Sequence, residues 1–274
     1  RVLRQAAVIQ PEELTPLAEL AVAESPAGPV LLHWQAPLDA PVLTLMPPAS
    51  EVAALAPVLE RHVAAGTSVL AWWDVSRQLA LLSSPPVAFG RHLGKPLFVP
   101  ARWQARRPDI EAIERDFWGI ADTPEFRAEQ DRFQRFVDAL VADEREGMAG
   151  LRALAEGKPT VLVLHVRDAI LLGQMAPRRI GVAFRDFGGV TDVHSMVRRV
   201  HAWLDQNRYP AYATLQLPDQ RVRAVAFTDT PSTETLAARL LPVIGNDQRD
   251  VAGATLVYRV GGFVVYQIAA GATP

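Results

Sequence analysis

The chain has 274 residues, 49% hydrophobic and 21% charged, with a formal net charge of −2; a chain this long buries roughly three quarters of the surface it exposes when unfolded, enough for a large core. The absence of a basic excess argues against a general nucleic-acid binder, which needs cations to displace counterions from phosphates. Cysteine is absent, which excludes disulfides, thiolate catalysis, Fe–S clusters, cysteine zinc sites and the covalent C-x-x-C-H haem attachment.

The first residue is Arg1 rather than Met, and the expectation is a longer precursor whose upstream segment carried a signal peptide or an N-terminal anchor. No stretch of about 18 consecutive apolar residues exists to span a bilayer. Residues 1–28 are rich in Pro, Glu and Ala, with a short helix expected from Pro11 to Val22 before the turn Ser25-Pro26-Ala27-Gly28. Val30 to Trp34 reads as a buried strand, and Val42 to Met46 as a second extended segment ending at Pro47-Pro48. Ser50 is expected to cap a helix in which Val52, Leu55, Val58, Leu59 and Val63 share a face, stopping near Gly66. A strand from Ser68 to Trp72 follows, giving the strand, helix, strand rhythm of a parallel crossover.

Residues 100–157 differ from their surroundings. They hold a helical pattern in two pieces, broken near Gly119 to Pro124, with Phe126, Phe133, Val137 and Leu140 on one stripe. This reads as a helical insertion within a single α/β domain spanning 1–274. The crossover rhythm then resumes, with strands Val161–His165, Ile180–Phe184 and Ala211–Gln216 alternating with helices Asp168–Met175 and Asp192–Gln206. The remainder is antiparallel: Leu217 to Gln220 links Ala211–Gln216 to Arg221–Thr228, and Pro231 opens a helix over Ser232–Leu241. Gly261-Gly262 then joins Thr255–Val260 to Phe263–Ile268 in a tight hairpin. The expected fold is α/β, a mixed sheet with parallel crossover units, a long helical insertion and antiparallel C-terminal hairpins.

The strongest site candidate is Trp72-Trp73-Asp74, at the C-terminal end of a strand, where open α/β sheets bind ligands. If the strand continues, the two indoles face opposite ways, so one of them lines an opening. There an indole offers an apolar wall and an N–H donor, Asp74 an anionic acceptor and Arg77, one helical turn later, a cation. The alternative is that Asp74 merely caps the following helix, with Arg77 balancing it. His165 ends a predicted strand, precedes Asp168 and falls on the same sheet edge. His194 and His201 stand seven apart on one helix, whereas helical metal pairs stand three or four apart, so no metal site is expected. Arg91, His92, Lys95, Arg102, Arg106 and Arg107 form a basic stretch without an intervening acid. Asp109 to Glu146 follows with twelve acids against five arginines. Such faces are either solvated or steer a protein partner. There is no G-x-G-x-x-G, Walker A, G-x-S-x-G, kinase or EF-hand motif, so no catalytic residue and no cofactor is assigned.

With these residues placed, the chain resembles the hydroxylamine oxidation protein HaoB family, found beside the multihaem hydroxylamine oxidoreductase in ammonia-oxidising bacteria and methanotrophs. The resemblance is carried by A-W-W-D-V-S-R-Q-L-A-L-L (71–82), D-F-W-G (116–119), H-V-R-D-A-I-L-L-G-Q-M-A-P-R-R-I-G-V (165–182) and L-V-Y-R-V-G-G-F-V-V-Y-Q-I (256–268). It implies a periplasmic accessory protein anchored to the inner membrane by a helix ahead of Arg1, a non-catalytic partner or tether of the haem enzyme. The Trp72-Trp73-Asp74 motif is also similar to the W-W-D signature in the soluble domain of oligosaccharyltransferases. Val75-Ser76-Arg77 lacks the aromatic and glycine that complete that signature, so glycosyl transfer is not implied. Two readings stand. One is a partner-binding module using Trp72, Trp73, Asp74 and Arg77 or the basic 91–107 stretch; the other is a small-ligand or enzymatic domain using Asp74, His165 and Asp168.

Overall fold

The structure is a computed structural model that describes residues 2–9, 16–35, 45–64, 66–83, 85–188, 192–217, 220–246 and 250–269. The chain divides into two units, 1–131 and 132–274.

The first unit opens with three antiparallel strands in sequence order, β1 (Val2–Ile9), β2 (Pro16–Ala23) and β3 (Val30–Gln35). The helix expected over Pro11–Val22 is corrected: residues 11–15 lie outside the described residues, and 16–23 is strand. Ala, Leu and Glu favour a helix there, but hydrogen bonding to strands on both sides overrides that weak local preference. The turn Ser25–Gly28 joins β2 to β3. Ser25 Oγ donates to the Gly28 carbonyl at 2.7 Å, and Gly28 takes φ +97°, where a side chain would be strained. The extended segment from Val42 lies outside the described residues up to residue 44.

Helix α1 (Ala49–His62) buries Val52, Leu55, Val58 and Leu59 along one face, and Pro57 sits on its exposed side. Its N-cap is Pro48 rather than Ser50, with no side-chain cap. The next strand, β4, is short (Ser68–Leu70), because the chain turns at once into α2 (Trp73–Leu82). β3 and β4 belong to different sheets. The parallel crossover of this unit is instead β4, α2 and a bridge at Val87, where Val69 N–H donates to the Pro86 carbonyl and Ala88 N–H to that of Val69, both at 2.8 Å. A 3-10 turn (Ala101–Arg106), α3 (Arg107–Phe117) and the first half of α4 (Pro124–Leu140) complete the unit.

In the second unit, the C-terminal half of α4 buries Phe133, Phe136, Val137 and Leu140, and α5 (Glu144–Ala155) starts at Asp143, whose carboxylate accepts from Glu146 N–H at 2.8 Å. Strand β5 (Thr160–His165) is buried at every position and is followed by α6 (Asp168–Met175). Then come β6 (Val182–Phe187), α7 (Val193–Asn207), β7 (Ala211–Gln216) and β8 (Val222–Phe227). The sheet order is β6-β8-β7, with β8 antiparallel to both neighbours, so β6 and β7 run parallel on either side of it. Helix α7 is their crossover, and it seats Met196, Val200 and Leu204 on Phe187, Ala224 and Ala226. Buried Arg223 of β8 donates to both carboxylate oxygens of Asp186 on β6, at 2.7 and 2.8 Å.

The helix expected over Ser232–Leu241 is two, α8 (Thr230–Thr233) and α9 (Leu236–Leu240), because the Thr235 hydroxyl accepts from Ala238 N–H and starts a new helix. Finally β9 (Ala254–Val260) and β10 (Phe263–Ile268) form the expected hairpin at Gly261-Gly262, and β10 lies between β9 and β5. The α/β class, the helical stretch and the antiparallel C-terminal strands are thus present as read from the sequence.

Candidate functional site

A cavity of about 320 Å³ lies within the first unit. One wall is built from β2 and β3 (Leu20, Val30, Leu31, Trp34), another from α2 (Trp73, Asp74, Arg77). A loop supplies His92 and Leu97, and α3 with the turn after it supplies Glu114, Phe117 and Trp118. Most of the lining is apolar, and three indoles and one imidazole make it strongly aromatic.

The stop of β4 at Leu70 decides which tryptophan faces the cavity. Trp72 becomes the N-cap of α2 and is buried at 2% exposure, outside the cavity lining, whereas Trp73 opens the helix and forms part of the wall. Asp74 is in the first turn of α2 and is not its cap. One turn on, Arg77 donates from Nη2 to the Pro29 carbonyl ahead of β3, and Gln78 donates to the Leu31 carbonyl at 2.9 Å. Arg77 is 3% exposed. Burial lowers its guanidinium to about 10, with Asp74 and Glu129 pulling it back up; it stays charged at neutral pH.

Opposite stands His92, packed at a tilt between two indoles, 4.4 Å from Trp73 and 5.2 Å from Trp118 between ring centroids. Its Nδ1 accepts from Gly94 N–H at 3.0 Å, which places the ring proton on Nε2, 3.4 Å from Glu114 Oε1. The same Glu114 oxygen accepts the Trp118 indole N–H at 2.9 Å. Burial lowers the His92 pKa, opposed by the hydrogen bond and charge of Glu114, so the imidazole is neutral at pH 7.

Trp73, Asp74 and Arg77 are therefore brought to one cavity. His165 and Asp168 belong to the second unit and close the turn between β5 and α6. Asp168 Oδ2 accepts from His165 N–H at 2.8 Å, and His165 Nδ1 accepts from Arg167 N–H at 3.1 Å. Among the described residues no group of three His, Cys, Asp or Glu side chains could hold a metal ion. His201 packs edge-on against Tyr212.

His92, Glu114 and Trp118 are cavity residues that the sequence pattern does not single out. His92 stands within the basic stretch, yet it turns inward, and the stretch is partly neutralised by the acids that follow it: Arg91 pairs with Glu129 at 3.6 Å and Arg107 with Glu111 at 3.1 Å. The available signal was the Glu114, Trp118 spacing of four on a helix, which puts an indole N–H beside a carboxylate.

Fold and cavity define an α/β protein with an aromatic-lined cavity that also holds Asp74, Arg77, His92 and Glu114. The chain belongs to the family of the HaoA-associated protein HaoB, whose model it matches over residues 1–268. That family places it as an accessory of hydroxylamine oxidation, associated with HaoA, the hydroxylamine oxidoreductase. No curated protein and no solved structure matches the chain.

Proposed function

We propose that this chain is a non-catalytic, periplasmic partner of the multihaem hydroxylamine oxidoreductase, attached to the inner membrane. The observation that carries this reading is the family match over nearly the whole chain. Among the described residues no helix is long and apolar enough to cross a membrane. The docking face we assign is the segment 101–117, where Trp103, Ile113 and Phe117 are 49%, 68% and 55% exposed beside exposed Arg102 and Arg106. Apolar side chains with arginine at the edge suit a partner surface with an acidic rim.

The test is capture by the tagged protein from a periplasmic extract of its host, with haem absorbance and mass spectra recorded at low and high salt. Salt-sensitive recovery of the multihaem oxidoreductase, weakened by Trp103→Ala with Ile113→Ala, is the expected result. Recovery of the protein alone at low salt overturns the proposal. A second reading, a small-molecule site at the end of β4, is favoured by the cavity itself.

A further inference from the structure

We infer that the cavity between β2, β3, α2 and α3 binds an uncharged, flat, aromatic-sized ligand that carries a carbonyl-type acceptor, held by the Nε–H of Arg77. The inference deepens the small-molecule reading and is independent of the docking one.

The size and surface set the shape of the ligand. A space of about 320 Å³ lies at the small end of ligand sites, room for one or two fused rings rather than a nucleotide or a haem. Trp34, Trp73, Trp118, Phe98, Phe117 and the neutral His92 give an aromatic lining suited to a planar guest, and Leu, Val, Met and Pro side chains supply the rest of the apolar wall.

The polar groups set its chemistry. Arg77 lies at the wall with Nη2 committed to Pro29, while its Nε is buried without a hydrogen-bond partner among the described residues. A buried donor left unmatched is costly, and a ligand oxygen would match it. A formal anion is disfavoured, because Arg77 is already balanced by Asp74 and Glu129, and Glu114 adds another carboxylate to the lining. A cation is disfavoured as well. It would share the space with the Arg77 guanidinium and give up its hydration to a mostly apolar wall, and Glu114 already receives Trp118 and faces His92. The remaining ligand is neutral, accepts one hydrogen bond and is otherwise apolar.

Four probes of one size separate these cases: 2-acetylnaphthalene, naphthalene, 2-naphthoate and 2-naphthylmethylammonium, each measured by equilibrium dialysis against the purified chain. The ketone is expected to bind about tenfold more tightly than naphthalene, the increment of one matched hydrogen bond to a charged donor, and more tightly than either ion. Arg77→Lys keeps the charge and removes the Nε–H; it is expected to erase the preference for the ketone while leaving naphthalene binding in place. Leu97→Trp fills the cavity from a loop and is expected to abolish binding of all four, which also serves if the Arg77 variant does not fold. Tighter binding of an ion than of the ketone, or a ketone preference that survives Arg77→Lys, overturns the assigned ligand class but leaves a small-molecule site. Absence of binding by any probe, or binding that survives Leu97→Trp, overturns the small-molecule reading with it.

Discussion

Replacing Glu114 by Ala tests how the α3 side of the cavity is held. The substitution removes the acceptor of the Trp118 indole N–H at 2.9 Å and the neighbour of His92 Nε2 at 3.4 Å. A hydrogen bond to a charged group contributes about 1.5–3 kcal/mol, and the longer contact adds little. Glu114 is 27% exposed, so water replaces part of what is lost, which brings the expected destabilisation to about 1–2 kcal/mol. For a protein of this size that corresponds to a fall in Tm of roughly 3–6 °C. Glu114→Gln keeps an oxygen in place and is expected to cost about 0.5 kcal/mol or less. Urea unfolding followed by tryptophan emission gives the energies, and near-ultraviolet circular dichroism reports the packing of Trp118. In a double-mutant cycle with Trp118→Phe, the coupling should approach about 1 kcal/mol. Equal losses for the Ala and Gln variants, or a coupling near zero, would refute the hydrogen bond as the restraint.

Three further outcomes are expected. Because burial holds the His92 pKa below its ordinary 6.5, the unfolded chain takes up a proton that the folded one refuses. Stability is therefore full above pH ~6.5 and falls as the pH drops from there toward the folded pKa; His92→Phe should flatten that slope in urea midpoints measured across the range. Arg223→Ala leaves Asp186 buried without its bidentate partner and should cost about 3–5 kcal/mol, read from denaturant unfolding, whereas joint replacement of both residues by apolar ones should recover most of it. Phe136, fully buried in the C-terminal half of α4, should cost about 3–5 kcal/mol when cut to Ala, and a loss below 1 kcal/mol would contradict the packing described.

Elements whose local pattern agrees with their surroundings were legible in the sequence. Helix α6 has the boundaries expected of it, the stripe Phe126, Phe133, Val137, Leu140 is buried as read, and Gly261-Gly262 turns the last hairpin. Where tertiary pairing opposes local preference the reading failed: Pro16–Ala23 has the composition of a helix and becomes the middle strand of a sheet. The cavity was half legible. Trp73, Asp74 and Arg77 announce themselves because an indole, a carboxylate and a guanidinium stand within five residues after a strand end, and all three line the cavity. His92 and Glu114 come from segments tens of residues away, and only folding brings the second beside the first.

The two side-chain ties from α2 to the strand wall, Arg77 to Pro29 and Gln78 to Leu31, fix two sides of the cavity against each other. Each runs from a side chain to a backbone carbonyl, so substituting the residues that own those carbonyls does not remove the acceptors. The rest of the lining comes from Leu45 and Met46, from the loop carrying His92 and Leu97, and from α3, so the tied frame and the untied walls are encoded in different stretches of sequence. Amide exchange should accordingly be slow across Val30–Gln35 and Trp73–Leu82 and faster through 91–118.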